Sequence, residues 1–423
     1  MAIRDGLYPT IWRWHFYAGI LITPIMLVMA ITGGIYLFQH EIEDALYGEL
    51  FYRQDVRQPV SNVDHDAIVN AAKKELPGGI LNSYRPAHGI QENARVTLTD
   101  THQQRTTIMV NPDTLTAVGS INDSWRLTAI AKQIHGGLMA GTLGEVLVEL
   151  VACWTIIMIV SGLYLWWPRI KGLRGALIPR LNQSSRIAWR DFHAIPGFLL
   201  SVWMLVIIAT GLPWSVVWGN LLDQFAIGIN QAFPQEVFSR RPQSQPATIP
   251  GQPQVSVNQL VHTAHQNGFH HGFEIQSPWG PNGSFAIMPG HHGRDLAGNR
   301  YLFVDQYSGS VLLKIEWQDI GAIGQATSIG ISLHEGRLFG RSNQIINLIA
   351  LIVLIWMGIS GMILWLRRKP EGSLGAPKAR RGIQPSRALS ITVLTLAIAL
   401  PLAGLSMLCV WLLDKTLNRV RAV

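Results

Sequence analysis

Trp12-Arg13-Trp14-His15-Phe16-Tyr17-Ala18-Gly19 opens a long charge-free run that closes on Thr32-Gly33-Gly34. The same landmarks return as His193-Ala194-Ile195-Pro196-Gly197 and Thr210-Gly211, displaced by 178 positions at every matched residue. A second set, Ile134-His135-x-Gly137 with Ser161-Gly162 and Trp166, returns as Leu333-His334-x-Gly336 with Ser360-Gly361 and Trp365, displaced by 199 throughout. Gap-free recurrence of a histidine, two glycines, a serine and a tryptophan marks an internal repeat. The two displacements differ, so the extra residues of the second copy lie between its two motifs.

Working outward, the motifs border apolar runs. Of 423 residues, 48% are hydrophobic and only 14% are charged, against roughly 25% charged in a soluble domain. Five stretches, 16–38, 150–168, 192–222, 342–366 and 388–413, carry no charge over 19 residues or more. About 20 apolar residues cross a bilayer, so five transmembrane helices are expected. The first is too long for a signal peptide and lacks a small-x-small cleavage site, and it is read as an uncleaved helix. Cys153 and Cys409 both sit in apolar runs, which excludes a disulfide framework or a four-cysteine metal site.

Sidedness follows from charge. Residues 169–190 hold six basic residues and no acid, and 367–387 hold seven against Glu371. By contrast, 41–145 holds nine basic and thirteen acidic residues, and 219–341 seven and eight. The positive-inside rule places the N-terminus and both short loops in the cytoplasm and the two long segments outside. The net charge of +8 therefore reports membrane orientation, and nucleic acid is excluded as a partner. The expected order is a membrane helix over 8–40, an external domain over 41–140, a helix over 141–168, a loop over 169–191 and a helix over 192–222. A second external domain over 223–341, a helix over 342–366, a loop over 367–387 and a fifth helix over 388–413 follow. Both repeat units start in the cytoplasm, so the repeat is parallel about the membrane normal. Each external segment reads as an amphipathic helix (63–75, 257–268) followed by strands (94–99 and 106–110; 272–276, 284–288 and 300–304), then a turn and a last strand reaching 121 or 315. The fold class is an α-helical transmembrane bundle of five helices carrying two small α+β external domains.

His15 and His193 are repeat mates, as are His135 and His334. Parallel repeats put mates at equal depth across the axis, so the first pair is expected near the cytoplasmic surface and the second near the external one. Two imidazoles facing across a gap are the axial ligands of a six-coordinate haem iron, and two such haems make a path for electrons across the membrane. Gly19 and Gly33 share the helical face of His15, and Gly197 and Gly211 that of His193. Such stripes either leave room for a porphyrin or let helices pack closely. Arg13 and Arg190 either pair with haem propionates or anchor the helix ends. His40, which has no repeat mate, is a candidate addition to the outer site. His270-His271 and His291-His292 are candidate metal or substrate contacts, or a solvated loop. Glu145 and Glu149 suit a cation or proton path, or helix capping.

With Trp12-Arg13-Trp14-His15-x3-Gly19, Thr32-Gly33-Gly34 and two external segments ending in Asp-x-x-Thr/Ser-Gly-like turns, residues 8–370 resemble the PepSY-associated transmembrane proteins, and within them the ferric-siderophore reductases of the bacterial inner membrane. The resemblance implies two b-type haems on His15/His193 and His135/His334. It also implies PepSY-like periplasmic domains, and ferric-siderophore as the electron acceptor. The short cytoplasmic loops hold no nucleotide- or flavin-binding motif, so the donor is expected to be a separate reductase or membrane quinol. The alternative is a non-redox binding or protease-regulating module tethered by the helices. Transport ranks below both, since the span centres are apolar apart from Pro24, Pro213 and Pro401.

Overall fold

The computed structural model describes residues 4–53, 63–89, 91–167, 177–247, 249, 251–270, 272–290, 296–369, 372 and 387–420. These fall into two compact units: one of 1–37, 131–225 and 330–423, the other of 38–130 and 226–329.

The first unit is helical. Its long members are α1 (Arg4–Leu37), α5 (Gly141–Trp166), α6 (Ser185–Gly211) and α10 (Arg341–Arg368), and the chain enters or leaves it through α4 (Leu127–Gly137), α7 (Val217–Gly228) and α9 (Ala322–His334). Among the described residues four helices are long and apolar enough to cross a membrane: Tyr8–Leu37, Gly141–Trp166, Ser185–Trp214 and Arg341–Arg368. They pack as a ring in which α1 and α6 each touch both α5 and α10, as the repeat requires. Ile22 and Met26 of α1 close against Val151 of α5 in one buried cluster.

Two sequence expectations are corrected. The span expected over 192–222 stops at Trp214, because Pro213 supplies no backbone N–H and the chain turns through a short 3-10 segment. The helix restarts as α7, whose first N–H groups, of Val217 and Trp218, both donate to buried Glu149 (2.8 and 3.0 Å). Glu149 is thus a helix cap. The expected fifth helix is two shorter ones, α11 (Arg387–Ala399) and α12 (Pro401–Val420). Pro401 breaks it; the Trp218 indole donates to the Ala399 carbonyl at the break (3.0 Å), and Gly404 closes onto Ala397 where a Cβ would not fit. Leu400 and Ala403 bury against Cys153 and Leu212.

The second unit joins what the sequence reads as two external domains. Its eight antiparallel strands run in the order β4-β3-β2-β1-β5-β6-β7-β8. The first half is β1 (Ile80–Arg85), β2 (Ala94–Thr99), β3 (Arg105–Asn111) and β4 (Thr116–Asn122). The second is β5 (Phe273–Gln276), β6 (Ser284–Pro289), β7 (Arg300–Asp305) and β8 (Val311–Glu316). The halves meet where β1 pairs with β5, with Ser83 opposite Gln276 and Tyr84 opposite Ile275. One face is covered by α3 (His65–Glu75) and α8 (Val257–Gln266), with Ile68, Tyr84, Leu98, Leu260 and Leu302 among the fully buried side chains there. On the other face, Phe51 at the end of α2 (Gln39–Phe51) packs on Met109 and Ile121 of the first half. Val237 packs near Ala286 and Phe303 of the second.

Symmetry extends to the turns and caps. Asn111 accepts N–H groups from Asp113 and Thr114 as Asp305 does from Tyr307 and Ser308. Leu115 takes the left-handed φ of +55° that Gly309 takes at +72°, so the turn forms without its glycine. Asp66 of α3 accepts from the Val257 and Asn258 N–H groups of α8, and Asn258 accepts from the His65 N–H of α3. Each helix caps the other's start. Asp66→Ala is expected to lower the stability of this unit by about 1–2 kcal/mol, read as an earlier thermal transition of the full chain; an unmoved transition would deny the reciprocal caps a stabilising role.

Candidate functional site

The four repeat-matched histidines lie in the helical unit. His15 sits near the start of α1 and His193 near the start of α6. His135 lies in the last turn of α4, and His334 ends α9. The last two precede tight reversals into a membrane helix, which the two repeats build differently. After α4, Leu138 and Met139 adopt positive φ, and Gly144 comes so close to the Gly137 carbonyl that no side chain fits. After α9, Asn347 donates to the Leu333 and His334 carbonyls (2.9 and 3.1 Å) and Asn343 to Leu333 (3.0 Å), satisfying carbonyls a helix end leaves unpaired.

Every ring is held through Nδ1. His135 Nδ1 lies 2.8 Å from the Met29 carbonyl and His334 Nδ1 2.8 Å from the Ile207 carbonyl. A carbonyl only accepts, so each Nδ1 carries the proton and donates it. His15 Nδ1 meets Ser161 Oγ at 2.8 Å and His193 Nδ1 meets Ser360 Oγ at 2.9 Å. A serine has one proton to give. Ser161 gives it to the Met158 carbonyl (3.1 Å) and Ser360 to the Trp356 carbonyl (2.6 Å). With the serine protons so placed, both hydroxyls accept from the imidazoles. All four histidines share one tautomer, Nδ1–H with a lone pair on Nε2, the form in which imidazole ligates a metal. Burial, with His334 beside it, lowers His135 to about 4, and burial pushes His334 down from its ordinary value, which favours the neutral ring in both.

The structure brings the mates His135 and His334 together. The rings of His135 and His334 are 6.2 Å apart, centre to centre, at 51°. Two imidazoles sharing one metal at about 2 Å per nitrogen have ring centres roughly 6 Å apart. Among the described residues no three His, Cys, Asp or Glu side chains gather around a point. Two imidazoles alone leave an iron four ligands short, which is the number a porphyrin supplies. The donor set fits haem.

The glycine stripe is filled rather than open. A Cβ on Gly33 would lie 2.9 Å from His135 Cε1, and one on Gly211 2.9 Å from His334 Cε1. Gly19 and Gly197 face the methyl groups of Met158 and Met357 (3.1 and 2.6 Å from a Cβ). For Gly19, Gly33, Gly197 and Gly211 these contacts support the close-packing reading. Gly33 and Gly211 seat the imidazoles, and the other two seat methionines. Arg190 is engaged with Asp191 (3.1 Å), which also binds Arg180 (2.7 Å), and the Arg13 guanidinium stands 5.5 Å from the Tyr17 ring. Both arginines have partners of their own at the helix starts. His40 lies in α2, in the other unit. His271, His291 and His292 lie outside the described residues. Ser161, Ser360, Met158 and Met357 went unassigned in the sequence, although their repeat spacing of 199 was there to see.

No curated protein matches the chain. Residues 12–368 match the model of the PepSY-associated TM region, and the chain belongs to that family.

Proposed function

We propose that the chain is a di-haem oxidoreductase of the bacterial inner membrane that passes electrons to ferric iron in the periplasm, delivered as a ferric-siderophore. The observation that carries this reading is the hydrogen bonding: four histidines in repeat-matched pairs, each ring held through Nδ1 by a backbone carbonyl or a serine hydroxyl, with no partner at Nε2 among the described residues. A merely structural histidine has no need of that uniformity across two different kinds of acceptor.

His135 and His334 would hold one b-type haem, and His15 and His193 the other. When bound, haem iron supplies reversible one-electron chemistry. The protein's own part is positional. Ser161, Ser360 and the Met29 and Ile207 carbonyls fix the ring planes, and their acceptance of Nδ1–H raises the basicity of Nε2. The glycines and methionines set where the rings can lie. The charge asymmetry supports a cytoplasmic N-terminus and a periplasmic sheet unit. The donor on the cytoplasmic side is a separate reductase or membrane quinol, since loops 169–191 and 367–387 are too short for a cofactor domain.

The test is electron transfer in proteoliposomes with a reductant trapped inside and a ferric chelate outside, ferrous iron being captured by a coloured chelator. Protein-dependent ferrous iron is expected. Ser161→Ala and Ser360→Ala are expected to weaken haem retention about 10- to 100-fold, measured by haem loss to apomyoglobin. A colourless protein with no transfer would favour the non-redox module.

A further inference from the structure

The sheet face opposite α3 and α8 carries a charge pattern that the haem ligands do not explain. Arg85 of β1 and Arg95 of β2 are register partners on adjacent antiparallel strands. Their neighbours Tyr84, Ala94 and Val96 point into the helix-covered core, so both arginines project from the other face. Like charges directly opposite each other destabilise a sheet. Here they are also partly desolvated: Nε of each is buried without a hydrogen-bond partner. No ion pair or hydrogen bond reaches either guanidinium among the described residues. Arg95 lies flat over the Phe51 ring, 3.9 Å from its centre, and burial and the Arg85 charge hold it below the usual arginine range.

The nearby carboxylates are otherwise engaged or unpaired. Glu43 binds Thr128 and Arg126, and Glu92 accepts the His88 N–H. Glu274 of β5 forms no ion pair with Arg85. A third cation reaches the same face: Arg241 binds Gln276, opposite Ser83, and stacks 3.9 Å over Trp279 with Nε and Nη1 unpartnered. The strip holding these groups runs along the β1–β5 seam. It separates the apolar cluster of Phe51, Met109 and Ile121 from that of Val237, Ala286 and Phe303.

Two guanidiniums side by side on adjacent strands, one of them stacked on Phe51, with no carboxylate bound to either among the described residues, are a receptor for planar oxyanions. We propose that Arg85 and Arg95, with Arg241 beside them, bind carboxylate groups, and that the ferric chelate taken by this chain bears carboxylates. This rests on the reading that the cargo is a ferric chelate. A bound carboxylate offsets the repulsion between the paired guanidiniums.

The test is calorimetric binding of gallium(III) citrate, which no electron can reduce, to the full chain in detergent. Gallium complexed by a neutral trihydroxamate and metal-free citrate serve as comparisons. The carboxylate complex is expected to bind, and to bind more tightly than the trihydroxamate. Arg85→Gln and Arg95→Gln are each expected to weaken it about tenfold or more, and Arg95→Lys, which keeps charge but loses the fork, to weaken it as well. Metal-free citrate binding as tightly as the complex would still place carboxylates at the arginines but overturn the chelate as their source. Wild-type protein that ignores gallium citrate, or Gln variants that bind it unchanged, would overturn the proposal. So would Gln variants that lose haem while binding citrate normally, since the carboxylates would then be the cofactor's. Citrate binding by a wild-type protein that carries no haem would leave this site standing and remove the redox reading instead.

Discussion

His334→Ala protein purified from membranes is expected to carry about one haem per chain in place of two, with electron flow to an external ferric chelate reduced by at least about 100-fold. The reasoning is local. His334 Nδ1–H is spent on the Ile207 carbonyl, and Nε2 is left as the only ligating atom of a ring 6.2 Å from its mate. Alanine removes that atom and leaves His135 alone. His135→Ala should give the same spectrum by the symmetry of the repeat. His15→Ala and His193→Ala should remove the other haem, so that a His15→Ala/His334→Ala double variant is colourless. Haem content by pyridine haemochrome checks each, and full haem in all four single variants would dispose of the ligand assignment.

Gly211→Ala is expected to damage the outer pair nearly as badly although it touches no ligating atom. The added Cβ would stand 2.9 Å from His334 Cε1 and 3.3 Å from Nδ1. The ring cannot swing away without surrendering its 2.8 Å bond to Ile207, because that carbonyl lies one turn back on the same helix as the glycine. Overpacking of this kind costs about 1–3 kcal/mol, and here the cost falls on ligand geometry. Gly33→Ala should behave alike against His135. Gly361→Ala is the control: its Cβ would meet His193 Cε1 at an ordinary 3.6 Å. In mid-helix, alanine is better than glycine by about 1 kcal/mol. That variant is expected to keep its haem and melt no earlier. Haem spectra and thermal melts of the three proteins together separate seating of the imidazole from general helix packing.

The helical half of the molecule was largely open to sequence reading, because a bilayer demands long apolar runs and a repeat puts chemistry at fixed offsets. His15, His135, His193 and His334 were singled out that way. What the offsets could not say was what faces each residue. Gly33 shares the helical face of His15, yet the ring it seats is that of His135, 102 positions away in the chain. Ser161 and Ser360 stood in the repeated motif as small residues. Their task as proton acceptors became visible only when their own protons were traced to Met158 and Trp356. The sheet was the larger miss. The pairing of β1 with β5 joins residues nearly two hundred positions apart, and no local pattern encodes it. β1 itself, Ile80-Leu-Asn-Ser-Tyr-Arg, has too little alternation to announce a strand. The breaks at Pro213 and Pro401 were legible in principle, since a proline withholds the N–H that a helix needs, but the charge-free run around each suggested one continuous span.

The measurement that bears most directly on the claim of paired axial imidazoles is haem quantified per chain, combined with near-infrared magnetic circular dichroism of the oxidised protein. The expected result is about two low-spin haems per chain, each with the charge-transfer band of bis-imidazole ligation. A protein that purifies without haem, or whose haem shows a ligand other than a second histidine, would contradict it.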